Sequence, residues 1–114
     1  MFDPVSNQLE HYLSLLSARQ KLVTSNLANL DTPGYRTKDI DFHFEFVSQM
    51  DSADMQPPTV FEAGGLIVKN DGNDVSLDRE MRLLSENAIR FSVASTLLRG
   101  QMASLRTAIQ EGGK

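Results

Sequence analysis

Apolar positions recur in steps of three and four at both ends of this chain and alternate in its middle. Leu9, Leu13, Leu16, Gln20, Val23, Leu27 and Leu30 form a heptad seam broken once, at polar Gln20. Asp3 is a good N-cap and Pro4 suits the first helical position, so the spacing predicts a helix over 4–30, ~40 Å long. Leu77, Met81, Leu84, Ala88, Phe91, Ser95, Leu98, Met102, Leu105 and Ile109 repeat the seam at the other end. A sustained 3.5-residue repeat predicts left-handed supercoiling against a partner helix. This second helix should start near Ser76, with Asp78 and Glu80 favourable in its first turn, and end at Gly112-Gly113. Leu83, Ala94, Leu97 and Ala108 widen its stripe beyond a strict two-helix seam, while small Ala88 and Ser95 permit close approach. A hairpin with the first helix and packing against neighbouring chains both satisfy that pattern.

Between the helices, Ile40, Phe42, Phe44 and Phe46 alternate with Asp39, Asp41, His43 and Glu45, which predicts a strand over 39–47. His43 falls on its polar face as a solvated residue, with no second ligand or base to complete a site. Residues 48–58 are polar, contain Pro57-Pro58 and read as a linker. Two short β-type runs, 59–63 and 66–69, flank Gly64-Gly65 and suggest a hairpin. The turn cluster at 70–74 lacks calcium-loop spacing, because Gly72 directly follows Asp71 and Val75 takes a ligand slot. The expected fold is mainly α: long terminal helices forming a coiled-coil-like hairpin around a small irregular or β segment. It is one domain, divided at 1–35, 36–75 and 76–114.

The first helix runs out in an eleven-residue string at 25–35, Ser-Asn-Leu-Ala-Asn-Leu-Asp-Thr-Pro-Gly-Tyr. Asn26 and Asn29 lie three apart, on one helical face. Asn is a poor helix former because its amide competes for backbone groups, so two of them imply specific hydrogen-bonding demands. Thr32-Pro33-Gly34-Tyr35 suits a type II turn, and Pro33 drives Thr32 out of the α region. A role confined to the fold would need Pro33 and Gly34 but be indifferent to the two amides.

Composition narrows the function. At 114 residues and without cysteine, the chain has neither a large core nor a disulfide. Its net charge of −4 is concentrated in an acidic centre, whereas nucleic-acid binding wants a basic stripe. No phosphate-binding glycine loop, metalloprotease motif or nucleophile elbow occurs, and the central acids line no apolar pocket, so neither an enzyme nor a cofactor or metal site is expected. The start lacks a basic n-region and an apolar h-region, and no stretch approaches a membrane span.

The 25–35 string resembles the N-terminal signature of the bacterial flagellar axial proteins, the rod, hook and hook-associated subunits. Ser25, Asn26, Leu27, Ala28, Asn29, Thr32, Pro33, Gly34 and Tyr35 meet every position of it. The run Arg36-Thr37-Lys38-Asp39-Ile40-Asp41-Phe42, the Asp71-Gly72-Asn73-Asp74 landmark leading to Met81, Glu86-Asn87-Ala88 and Leu105–Ile109 resemble the proximal rod branch of that family. Only about 47–70 is unmatched. The sister protein FlgC usually carries a Tyr-Pro-Asn-Val type string, which is absent here.

The resemblance implies a structural subunit of the proximal rod, a hollow helical shaft crossing the periplasm and transmitting torque. It would leave the cell through the flagellar type III channel without a cleaved signal. Implied partners are copies of itself, FlgC, FlgF, the adaptor FliE and the export gate, with no nucleic acid and no membrane span. Phe42 and Phe46 resemble the gate-recognition motif of early export substrates; otherwise they are the buried face of the predicted strand. Expected assembly residues are Ser25, Asn26, Asn29 and Thr32–Tyr35, with Thr32, Pro33, Gly34 and Tyr35 as the turn, and Leu84, Ala88, Phe91, Leu98, Met102 and Leu105 on the last helix. In a close-packed tube the two amides must find partners across a helix interface or in the turn backbone. Alternative readings are FlgC itself, or a soluble helix-binding adaptor or chaperone of the export system.

Overall fold

The computed structural model describes residues 3–50 and 56–112. Helix α1 (Pro4–Ala28) leads through the turn to strand β1 (Lys38–Ile40), then to a short helix α2 (Phe42–Ser48), strand β2 (Val60–Glu62) and a long helix α3 (Leu77–Gly112). Asp3 caps α1 by accepting the Ser6 N–H at 2.9 Å, and Pro4 takes the first turn, where a missing N–H costs nothing. Helices α1 and α3 lie side by side and antiparallel, because Asn26 meets Glu80, Gln20 meets Asn87, and Gln101 lies beside Asp3. The molecule measures 70 × 24 × 17 Å. From 102 onward α3 runs past the described start of α1.

The predicted strand over 39–47 is overturned. Only Lys38–Ile40 is extended; Asp41 then caps α2, its carboxylate accepting the Phe44 N–H at 3.1 Å. A helix keeps positions four apart on one face and turns the position between them away. Phe42 and Phe46 therefore both meet the Tyr12 ring edge-on, at 5.2 and 5.7 Å, while Phe44 is 61% exposed. Glu45, placed on the solvated face by alternation, is buried and accepts the Thr59 N–H.

The hairpin about Gly64-Gly65 does not form either. Strand β2 pairs antiparallel with β1, in the register Lys38↔Glu62, Asp39↔Phe61, Ile40↔Val60. Residues 66–69 instead cross the end of α1 without strand structure.

The seam of α3 is also displaced. Leu83, Asn87 and Ala94, with Glu80, are the buried positions, each one residue or so off the predicted row. Leu84, Leu98, Met102 and Leu105 are half-buried, and Ala88 and Phe91 are exposed, Phe91 at 44%. Two polar contacts fix this rotation: Asn87 Nδ2 donates to Gln20 Oε1 at 3.0 Å, and Glu80 accepts from Asn26. The polar break at Gln20 is thus answered from the opposite helix. Alongside the apolar core of Leu15, Leu16, Val23, Ile40, Val75, Leu83 and Ala94, more polar residues than apolar ones are buried, and hydrogen bonds specify much of the fold.

Candidate assembly site at the helix terminus

Asn26 sits in the last full turn of α1, facing β1 and the start of α3. Its Nδ2 donates to the Lys38 carbonyl at 2.9 Å and to Glu80 Oε1 at 2.7 Å. Its Oδ1 accepts the Lys38 N–H at 3.1 Å and the Tyr35 hydroxyl at 3.0 Å. The side-chain amide therefore engages both backbone groups of Lys38, as a neighbouring strand would, and closes the edge of β1 that β2 leaves open. All its hydrogen-bonding positions are used. The fold is not indifferent to Asn26, contrary to the expectation from a turn-only role.

Asn29 works locally. It is the C-cap of α1; its Nδ2 donates to the Ser25 carbonyl at 2.8 Å, and its Oδ1 accepts the Thr32 hydroxyl at 3.0 Å. Ser25 Oγ lies 3.3 Å from the Tyr35 hydroxyl. Gly34 has φ +76°, and the Tyr35 N–H reaches the Thr32 carbonyl at 3.2 Å, as a type II turn requires. Thr32, Pro33 and Gly34 are exposed.

The turn is clamped by Asn73 and Asp74, which sequence reasoning passed over as site residues. Asn73, fully buried, donates from Nδ2 to the carbonyls of Asn29 and Thr32, both at 2.9 Å. Each of those carbonyls also accepts a turn N–H, from Thr32 and Tyr35 respectively, so Asn73 fills its second acceptor position. Asp74 Oδ1 accepts the N–H and hydroxyl of Thr37, and its other oxygen pairs with Arg36 at 3.3 Å. The Gly34 N–H donates to the Asp71 carbonyl at 2.9 Å, and a Cβ on Gly72 would stand 3.3 Å from Gly34 Cα. The two landmarks, far apart in sequence, are one structure. A signal was present in the dense turn cluster, since an Asn or Asp buried there must bond to backbone.

Beneath the clamp lies a charged layer that was also missed. Arg19 grips Asp39 with two hydrogen bonds of 3.0 Å, and Arg79 bridges Asp39 to Glu80. Burial pushes the Asp39 carboxyl up, but the Arg19 hydrogen bond, the Ile40 N–H and the charges of Arg19 and Arg79 outweigh it and hold it below its ordinary value. Burial works against the Arg79 charge as well, yet Glu80 and Asp39 leave it more firmly protonated. Among the described residues, no group of three or more His, Asp or Glu could hold a metal ion, and no helix is long and apolar enough to cross a membrane.

The predicted site residues thus fall into three places. Ser25, Asn26, Asn29 and the 32–35 turn converge at the clamp. Leu84, Ala88, Phe91, Leu98, Met102 and Leu105 run along α3 away from it. Phe42 and Phe46 pack on Tyr12 of α1.

Fold and clamp define a helix-presenting structural subunit, and residues 13–36 match the sequence model of the family described as "Flagella basal body rod protein". Flagellar basal body rod protein FlgB of Bacillus subtilis (strain 168) is 29% identical over 100% of this chain and 98% of its own length. The FlgB of Escherichia coli (strain K12) is 29% identical over 88% of each chain. That of Cereibacter sphaeroides (strain ATCC 17029) is 31% identical over 86% of this chain and 88% of its own. The chain belongs to the FlgB family of flagellar basal body rod proteins.

Proposed function

We propose that this chain is a structural subunit of the proximal flagellar rod, assembling through its terminal helices into the hollow shaft that drives motility. The observation that carries the reading is the whole-length likeness to FlgB, joined to the meeting of both family landmarks in one clamp. In this reading the clamp sets the angle at which the helical hairpin leaves the β segment. The outer faces of α3, including Leu84, Ala88, Phe91, Leu98, Met102 and Leu105, then meet other subunits. Its partners are further copies, FlgC, FlgF, the adaptor FliE and the export gate. It acts in the periplasm after type III export, and performs no catalysis.

Phe42 and Phe46 serve export in the same reading. They are half-buried against α1 in the folded chain, so a gate would meet them only in the unfolded chain that a narrow channel admits. Replacing both with Ala should cut secretion while the purified variant keeps its helices; undiminished secretion removes the gate role. For the rod itself, the test is isolation of basal bodies from cells making a tagged chain. The tag should co-purify with the rod, and deletion should abolish motility. A tagged chain found only in the soluble fraction would support the adaptor reading instead.

A further inference from the structure

Asp71 is the one aspartate or asparagine in the chain that glycine follows. Glycine has no Cβ to shield its amide nitrogen, so an Asp-Gly bond can cyclise in a flexible chain. The Gly72 nitrogen attacks Asp71 Cγ; its proton and the carboxyl hydroxyl leave together as one water. Water then reopens the succinimide ring at either carbonyl, giving back aspartate or giving isoaspartate. The balance closes without oxidant, reductant or enzyme. Asp71 is solvent-exposed, so water reaches it, yet the folded clamp holds every group the ring closure needs. The Gly72 N–H donates to the Lys69 carbonyl at 2.9 Å. Asp71 Oδ1 accepts the Asn73 N–H at 3.0 Å, which ties up the carboxylate under attack. The Asp71 carbonyl accepts the Gly34 N–H at 2.9 Å, which fixes the peptide plane that must rotate.

We propose that Asp71–Gly72 is a self-modification site, converting to isoaspartate in the unfolded chain and held unreactive by the closed clamp. The inference rests on these contacts alone and is independent of the rod reading. The product cannot close the clamp again. Isoaspartate routes the main chain through the side-chain methylene, and the former peptide carbonyl becomes a free carboxylate. The acceptor of the Gly34 N–H is then lost, and Gly72 is moved off Gly34, against which a Cβ would stand only 3.3 Å away. Asn73 follows in the chain, and with it the two hydrogen bonds that hold the Asn29 and Thr32 carbonyls. A chain left unfolded for long enough therefore loses the ability to build its turn.

The test follows the full-length chain at neutral pH, folded in buffer and unfolded in guanidinium chloride. Isoaspartate is read on the tryptic peptide Asn70–Arg79 by methyltransferase labelling and electron-transfer fragmentation. It should accumulate at position 71 in the unfolded chain and at least ~10-fold more slowly in the folded one, because reaction there waits for local opening. Asp71→Glu, whose longer side chain cannot form the five-membered ring, should abolish the signal in guanidinium chloride, where folding plays no part. After dilution into buffer, isoaspartate should be depleted from the refolded fraction separated by size exclusion. Equal rates in folded and unfolded chains would overturn the proposal. So would a signal that persists in Asp71→Glu, or modified chains that refold as readily as unmodified ones.

Discussion

At the scale of single residues, Asn26 carries the most. Its amide has four partners, and its removal strips the Lys38 N–H and Oε1 of the fully buried Glu80, which keeps Arg79 on its other oxygen. Leaving buried groups unsatisfied costs about 1–3 kcal/mol, so Asn26→Ala should lower the stability of the monomer by that amount in urea unfolding. Asn29→Ala loses only local bonds at an accessible helix end and should cost about 1 kcal/mol or less. The periodic placement of the two amides was legible in the sequence; their inequality was not, because it depends on Lys38 and Glu80 arriving from elsewhere in the chain. Asp39 adds a pH dependence. Its folded-state carboxyl titrates below its ordinary value of 3.8, so its stabilisation is fully present above that pH and drains as pH falls through the folded value. Asp39→Asn should therefore flatten the loss of stability between about pH 5 and pH 2, measured by urea midpoints at each pH. It should also lower stability at neutral pH by about 3 kcal/mol, because Arg19 and Arg79 lose their shared partner.

At the scale of elements, the long helices were readable and the short ones were not. Helices α1 and α3 announce themselves by repeats many turns long, with Asp3-Pro4 marking the start of one and Ser76 the start of the other. The run 39–47 carries equal local signals for strand and helix. Its three phenylalanines satisfy alternation, while two of them also satisfy the four-residue spacing. Tyr12 on α1 and the cap at Asp41 decide the outcome, and both are tertiary or positional facts. The glycines divide in the same way. Gly72 has φ +87° and backs onto Gly34, so Gly72→Ala should destabilise by about 1–3 kcal/mol and loosen the clamp. Gly100 lies inside α3 with open space where a Cβ would go, so Gly100→Ala should stabilise the monomer by about 0.5–1 kcal/mol. Thermal unfolding of the two variants should move in opposite directions.

At the scale of the molecule, two kinds of apolar surface share α3, and one sequence pattern encodes both. The heptad rule selected the row through Phe91 because it is the most regular, yet the monomer buries the neighbouring row because Gln20 and Asn26 offer polar partners only there. A periodicity search weighs apolar character and cannot see a buried amide pair, so it found the helix and its stripe but left open which row meets the first helix. A substitution in each row separates the roles. Ala94 is almost completely buried between the helices, so Ala94→Asp places an unpaired charge in the core and should unfold the hairpin, seen as loss of helical circular dichroism. Phe91 is 44% exposed, so Phe91→Asp should leave the helicity of the purified chain within a few per cent of normal. On the proposed assembly it should nevertheless remove the chain from basal bodies and abolish swimming, because a charge placed in a contact between subunits would be buried without a partner. Leu98, half-buried, lies between the two cases, and Leu98→Asp should weaken both fold and assembly. If Phe91→Asp cells swim normally, the outer row of α3 faces water in the finished rod, and its heptad regularity has no role in joining subunits.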